Sequence, residues 1–317
     1  MRKIKFLPLL LAAPLLVGCN GNVKSPKFAK EGDLVLSDKF IENYTKAGAT
    51  SEFAKEGDLT DSYILKGKSK GHTEEVTTRG KAKPRVRAID FESTNEYKYD
   101  VKNHVLSMKA SGSTVDSLKT KDGSDKETTK QKLDYTMQGG QVNGVQHVLS
   151  IDNKAKLYTS IQELSGAITV PQVLDTMFKQ VASGYYSGIQ NELNTFSHLP
   201  EGDERIGHYK FYQNNNIFTL VQEYTDETDR KDDEDKTIFL RKDTYFEKYQ
   251  LDTTAGKWQF KYYFEGTTHV EYKQAYYSFA AGDIYDEVEQ EATEGTLTAK
   301  DVKVKAADLS KLTAFGF

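Results

Sequence analysis

The stretch Glu96-Tyr97-Lys98-Tyr99-Asp100-Val101 alternates polar and apolar side chains, and this period of two decides the predicted fold. Side chains along a β-strand point alternately to its two faces, so such a stretch predicts a strand with one buried face. The alternation recurs in Val105-Leu106-Ser107-Met108 and in Lys132-Leu133-Asp134-Tyr135-Thr136-Met137. We therefore expect a group of half-buried strands in the first half of the chain.

Strand patterns return over the last third of the chain. They cover residues 208–212, 217–221, 237–241, 245–251, 257–264, 269–277 and 296–305. Short polar turns separate them and no helical pattern intervenes. Strands that follow one another in this way pair antiparallel.

Two segments have the spacing of helices. Residues 171–197 repeat large apolar side chains every three or four positions, which predicts one long helix with a buried stripe. Gly184 and Gly188 interrupt its middle, so a kink or two shorter helices is the alternative. A short helix is predicted from Ser37, with Gly48 as its end.

The order of these elements predicts an α+β fold. We expect one large twisted antiparallel sheet, shaped like half a barrel, with the central helix and the short N-terminal helix on one face. A β sandwich of two packed sheets is the alternative. The predicted domains are a signal peptide over 1–18, a lipidated cysteine and short tether over 19–27, and a single α+β domain over 28–317.

Three polar segments have no clear period. Residues 66–87 are rich in lysine and arginine and are predicted to form a solvated loop; contact with anionic lipid headgroups or cell-wall polymer is the alternative. Residues 111–130 predict a long exposed connection or ragged hairpin. Residues 226–235 hold seven acidic side chains but lack the glycine and spaced glutamate of a calcium loop, so they predict a hairpin tip.

The N-terminus has the pattern of a secretory signal. Arg2, Lys3 and Lys5 precede an apolar run over 6–17, which is too short to span a bilayer. The run ends in Leu16-Val17-Gly18-Cys19, which resembles the lipobox of bacterial lipoproteins.

That resemblance implies cleavage between Gly18 and Cys19, and a diacylglyceryl group with further acylation such as palmitate on Cys19. It implies a lipid-anchored protein on the extracytoplasmic face of a bacterial cell membrane, or on the outer membrane if the envelope is Gram-negative. Two or more acyl chains are needed for a stable anchor.

Composition excludes several classes of function. Cys19 is the only cysteine, so the rest of the chain has neither a disulfide nor a reactive thiol. The net charge of −4 argues against nucleic acid as a partner. The six histidines form no zinc-binding pair of the His-Glu-x-x-His type, and no phosphate-binding glycine loop occurs. We predict no catalytic residues, no metal and no cofactor.

Aromatic side chains are dense near the C-terminus. The candidate ligand face comprises Trp258, Tyr262, Tyr263, Tyr276 and Tyr277. An apolar small molecule or a lipid could bind such a surface. Ordinary cross-strand packing is the competing interpretation.

Three functions follow from these patterns. The first is a non-catalytic lipoprotein that binds an apolar or lipid ligand on its curved sheet. In element order and lipobox alone, this resembles the lipoprotein localisation-factor and mycobacterial lipid-transfer families. The second is a surface interaction or adhesion module whose polar loops bind cell-wall or host molecules. The third is a hydrolase without a recognised motif, marked by two carboxylates of perturbed pKa.

Overall fold

The computed structural model describes residues 23–51, 53, 59–138, 141–151, 154–163, 170–254 and 257–304. The predicted signal peptide, including Leu16, Val17 and Gly18, and the predicted lipid site at Cys19 lie outside these residues. The predicted domain boundaries remain predictions.

The described residues form two α-helices, one short 3-10 helix and twelve strands. The helices are α1 (Ser37–Thr50), α2 (Val170–Ser197) and the 3-10 helix Glu204–His208. The strands are β1 (Asp33–Leu34), β2 (Tyr63–Thr78), β3 (Arg85–Asp100), β4 (Val105–Thr120), β5 (Gly123–Gln138), β6 (Gln141–Ile151), β7 (Lys154–Glu163), β8 (Tyr209–Asn214), β9 (Ile217–Lys231), β10 (Thr237–Asp252), β11 (Lys257–Tyr272) and β12 (Ile284–Ala299).

All twelve strands belong to one antiparallel sheet, in the order β1-β8-β9-β10-β11-β12-β2-β3-β4-β5-β6-β7. The predicted large antiparallel sheet with two helices is therefore confirmed, and the two-sheet sandwich is not. Two meanders, β2–β7 and β8–β12, meet where β12 pairs with β2. That seam runs from Ala299 opposite Tyr63 to Ile284 opposite Thr78.

The two faces of the sheet differ, and paired residues show which side chains share a face. Tyr63 lies opposite Tyr99, which lies opposite Leu106, so all three point to one side. Both helices pack on that side, which we call the helix face. The opposite side, which includes Lys66 and Glu96, is called the open face.

Aromatic rings fill the space between the helices and the sheet. Phe178 of α2 stacks on Tyr63 and on Tyr99, each with ring centroids 5.5 Å apart. Further along α2, Tyr185 stacks on Phe260 at 5.7 Å. Phe40 of α1 packs on strands β8 and β9. Such rings bury 150–250 Å² each, roughly, so they dominate the energy of this core.

The glycines expected to end or weaken the helices have other roles. α1 continues past Gly48 to Thr50, because the missing side chain at Gly48 leaves room for the ring of Tyr186. A Cβ there would lie 2.2 Å from that ring. The two helices are joined by Tyr186, whose hydroxyl donates to the Tyr44 carbonyl at 2.7 Å. α2 is a single helix through Gly184 and Gly188.

Two segments predicted as irregular are regular strands. Most of the basic segment 66–87 belongs to β2 and β3, joined by the turn at 79–84, so the predicted loop is wrong. Segment 111–130 forms most of the β4–β5 hairpin, which turns at 121–122. In 226–235 the tip is confined to 232–235, since β9 continues to Lys231.

Most strands are 16 residues long, about 53 Å at 3.3 Å per residue. The helices cover only part of that length on the helix face. We call the part containing Tyr63, Tyr99 and Phe260 the covered half. The part toward Thr78 and Arg85 is called the uncovered half.

Candidate functional site

A groove of about 630 Å³ crosses six neighbouring strands, β11, β12, β2, β3, β4 and β5. It lies on the open face. The helix face is already filled at this position, since a Cβ added to Gly295 would lie 2.4 Å from the Tyr185 ring. The small residues Gly67 and Gly295 thus form part of the floor of the groove, with the helix-face ring behind them.

Lysine side chains line the groove. Its described lining contains five lysines and two glutamates: Lys66, Lys68, Lys109, Lys132, Lys261, Glu96 and Glu294. Neutral hydrogen-bonding side chains, including Thr94 and Gln259, lie between them. The groove therefore carries an excess of positive charge, although the whole chain is net negative.

The strand register explains why these lysines meet. Lys68 lies opposite Thr94 on one side and opposite Glu294 on the other. The same row of the sheet continues to Lys132 in β5 and to Lys261 in β11. Residues far apart in sequence are thus placed side by side on one face.

Cross-strand ion pairs hold part of the lining in place. Lys66 contacts Glu96 at 2.9 Å, and Lys68 contacts Glu294 at 3.1 Å. The ammonium groups of Lys98 and Lys66 lower the pKa of Glu96 through their hydrogen bonds to its carboxylate. Since these side chains are partly exposed, each such pair contributes little to folding, about 0–1 kcal/mol.

Residues 23–31, which we call the N-terminal strap, cross the open face beside the groove. The strap is held by buried amides. The Val23 N–H donates to Gln290 Oε1 at 3.1 Å, and the Ala29 N–H donates to Gln250 Oε1 at 2.7 Å. Gln250 Nε2 returns a bond to the Ala29 carbonyl at 3.1 Å.

Two lysines of the sheet also hold the strap. Lys261 Nζ donates to the Lys27 carbonyl at 2.6 Å. Lys248 pairs with Glu31 and lies 4.7 Å from the centroid of the Phe28 ring. A second groove of about 420 Å³ lies between residues 23–27 and the sheet, and it shares Lys68 and Glu294 with the first.

The five aromatic residues predicted as a ligand face do not lie on one surface. Trp258 is partly buried on the helix face, where it packs on Phe53 against the core. Tyr262 is on the same face, whereas Tyr263 is buried on the open face. Tyr276 and Tyr277 lie beyond the end of β11, in the connection to β12, where Tyr277 is 92% exposed.

Tyr262 belongs to a buried cluster of phenols around one carboxylate. The hydroxyls of Tyr245, Tyr249 and Tyr262 donate to Glu247 at 2.6, 2.7 and 2.9 Å. Burial raises the pKa of each of these phenols, and the charge of Glu247 raises it further.

The helix face also holds Glu291, a carboxylate whose pKa is perturbed. Burial raises the pKa of Glu291 to about 7, and the nearby charges of Glu289 and Glu247 act in the same direction. Neither Glu247 nor Glu291 is among the residues that line the two grooves. The predicted mark of a hydrolase, two perturbed carboxylates in a cleft, is thus absent from the described grooves.

Within the described residues, no three His, Cys, Asp or Glu side chains are arranged to hold a metal ion. No helix in that part of the chain combines the length and hydropathy required to cross a bilayer.

The sequence contains a signal for the groove that the prediction did not use. Lys66, Lys68 and Lys70 recur at a period of two, which places three ammonium groups on one face of a strand. Their neighbours are also polar, so the segment has no apolar face and was predicted as a loop. Lys109, Lys132 and Lys261 could be added only from the pairing of distant strands.

Comparisons with known proteins give no family. No family model matches the chain, and no curated protein matches it. Among solved structures, the crystal structure of Pseudomonas aeruginosa OccK7 (OpdD) aligns with 75% of this chain and 99% of its own, at 8% identity and a TM-score of 0.17. A likeness of that size carries no argument about fold or function.

Proposed function

We propose that the chain is a non-catalytic, lipid-anchored extracytoplasmic binding protein whose open-face groove takes an anionic ligand. The lipobox Leu16-Val17-Gly18-Cys19 supports the anchor and the location. The observation that carries the binding role is the groove itself, where five lysines and two glutamates converge from all six of its strands. This is the interaction module of the sequence analysis, with its contact surface on strands instead of loops.

The chemistry of the lining favours phosphate or carboxylate groups. Lysine ammonium groups are compact, mobile donors that bind such anions as point charges. Thr94 and Gln259 add neutral hydrogen bonds on either side of them. A ligand that bears several anions would contact several lysines at once and would displace Glu96 and Glu294 from their ion pairs.

The proposal includes curvature of the sheet. A groove bounded by six neighbouring strands is expected where a sheet bends toward its open face. A twisted sheet shaped like half a barrel, as expected from the sequence, would have that form.

An apolar or lipid ligand is the second candidate. The volume of about 630 Å³ is in the range of small-molecule sites, and Gly67, Ala110 and Gly295 provide a floor without charge. The stems of the lysines would then cover the apolar part of the ligand and their ammonium groups its head.

Binding of short-chain inorganic polyphosphate by calorimetry tests the proposed function. The protein is the chain from residue 19 with Cys19→Ser, which omits the predicted signal peptide and removes the predicted acylation site. Replacing Lys66, Lys68 and Lys109 with glutamine should weaken binding by at least about tenfold at about 0.15 M salt, because about 1 kcal/mol per cation is lost.

The matched control replaces Lys81, Lys83 and Lys121 with glutamine. These lysines are exposed in the β2–β3 and β4–β5 turns, so the variant has the same net charge without any change in the groove. We expect its affinity to stay within about twofold of the parent at about 0.15 M salt, where distant charges are screened. Equal losses in both variants, or no binding by the parent, would contradict the proposal.

A further inference from the structure

The N-terminal strap limits where the lipid anchor of the proposed function can lie. Val23 is buried at Gln290, on the open face of β12. Three residues lie between Cys19 and Val23, and a fully extended chain spans at most about 14 Å over the four Cα-to-Cα steps from one to the other. An acylated Cys19 is therefore always within that radius of the open face.

The strap is an integral part of that face. Gln250 is 3% exposed, and both its amide oxygen and its amide nitrogen bond to the backbone of Ala29. Release of the strap would leave this buried amide without those bonds, which is costly. The pair between Lys248 and Glu31 adds a further contact.

The groove opens on the same side of the sheet as the start of the strap at Val23. The second groove is bounded by residues 23–27 of the strap and by Lys68 and Glu294, which also line the first. The start of the strap, the two grooves and their lysines thus form one continuous surface. Lys24 and Lys27 of the strap add two more cations beside it.

From this juxtaposition we propose that the anchor turns the open face toward the bilayer, and that the groove binds the phosphate of an anionic lipid headgroup. This inference rests on the proposed function, and it names the membrane as the source of the ligand. Charge complementarity favours it, because lysines close to an anionic bilayer surface are attracted to it within a Debye length of about 10 Å at 0.1 M salt.

The test measures which face of the lipidated full-length protein lies near the bilayer. Acylation consumes the thiol of Cys19, the only natural cysteine, so a cysteine introduced elsewhere can be labelled selectively. Ser113→Cys places a fluorophore on the open face outside the residues that line the groove. Ser183→Cys places it on the exposed side of α2.

The labelled proteins are reconstituted in vesicles of phosphatidylcholine alone, or with about 30% phosphatidylglycerol, each containing a headgroup-attached quencher. We expect quenching at Ser113→Cys to exceed that at Ser183→Cys several-fold in the anionic vesicles. Replacing Lys66, Lys68 and Lys109 with glutamine should remove the excess. The glutamine control at Lys81, Lys83 and Lys121 should keep it.

Equal quenching at Ser113→Cys and Ser183→Cys in the anionic vesicles would overturn the inference. So would quenching at Ser113→Cys that is as strong in phosphatidylcholine alone as in the anionic vesicles. The proposed function would survive that outcome if polyphosphate still bound through the groove lysines. A parent protein that does not bind polyphosphate would instead overturn the proposed function. A mass spectrum without acyl chains on Cys19 would overturn the anchor, and with it the inferred orientation, whereas groove binding measured on the Cys19→Ser protein would stand.

Discussion

The covered and uncovered halves of the sheet share the same strands but are stabilised differently. In the covered half, the helix face presents Tyr63, Leu65 and Tyr99, each at most 1% exposed. In the uncovered half, the same face of β2 presents Ser69 and Thr73, and neither is buried. The difference follows from the helices, which give apolar side chains a partner on one half only.

What stabilises the uncovered half is the backbone ladder and the side chains that bridge strands. Ser69 and Thr293 hydroxyls lie 2.8 Å apart, and Lys70 contacts Glu92 at 3.0 Å. A small apolar cluster at the far end, in which Phe239 packs on Tyr272, is an exception. One sheet can thus extend beyond its core when each strand is paired on both sides.

The largest effect expected from this comparison is at Phe178. It is fully buried and stacks on two tyrosines, so Phe178→Ala should lower the free energy of unfolding by about 3–5 kcal/mol. Phe91→Ala, at a half-buried ring in the uncovered half, should cost about 1.5 kcal/mol or less. Urea denaturation monitored by circular dichroism measures both.

If Phe178→Ala fails to fold, Phe178→Leu provides the measurement with a smaller cavity. Equal losses at Phe178 and Phe91 would show that the two halves are stabilised alike.

The next effect concerns Glu291, near the boundary between the halves. Its raised pKa means that the folded chain retains a proton which the unfolded chain releases between pH about 4.5 and 7. The contribution of protonated Glu291 to the free energy of unfolding is fully present below pH about 4.5 and is lost as the pH rises through about 7. Glu291→Gln should therefore raise the free energy of unfolding at pH 8 by up to about 3 kcal/mol, with little change at pH 4.

Urea denaturation at pH 4, 6 and 8 gives this dependence. The control is Glu227→Gln, an exposed carboxylate whose pKa is lowered by the hydrogen bond from Lys242. Its stability change should not depend on pH between 4.5 and 8. If the free energy of unfolding changed equally with pH in the parent and in Glu291→Gln over that interval, the prediction would be contradicted.

The smallest effect is expected from ion pairs of the uncovered half. A double-mutant cycle with Lys70→Ala and Glu92→Ala should give a coupling energy of about 0.2–1 kcal/mol that falls in 1 M NaCl. The buried bond from the Tyr99 hydroxyl to Asp175, in the covered half, should give about 1.5–3 kcal/mol in a cycle with Tyr99→Phe and Asp175→Ala. A larger coupling energy for the Lys70–Glu92 pair than for the Tyr99–Asp175 pair would refute the view that the two halves are stabilised differently.

The sequence predicted the covered half well. Alternating stretches around Tyr97 and Tyr99, and the apolar stripe of α2, mark side chains that face a core, and hydropathy detects them. The uncovered half was missed because polar residues occupy both faces of its strands. Residues 66–78 and 111–120 have no apolar period, so their strand character comes from their neighbours in the sheet.

The groove could not be predicted for a related reason. It requires β12 to lie beside β2, which places Thr296 opposite Lys66, a residue about 230 positions away in sequence. Periodicity within one strand gives its faces but never its neighbours. The density of aromatic residues near the C-terminus led to the prediction of a ligand face there, whereas the structure places Trp258 partly buried against the core of the helix face.

The β12–β2 seam has a consequence for how the protein is made. A ribosome or a translocation pore releases the chain from its N-terminus, so the full 16-residue edge of β2 is exposed until Ala299 has emerged. An open edge of that length is a template for pairing with other chains. We therefore expect the nascent protein to rely on a holding chaperone. The final pairing of β12 with β2 should be among the slowest steps of its folding.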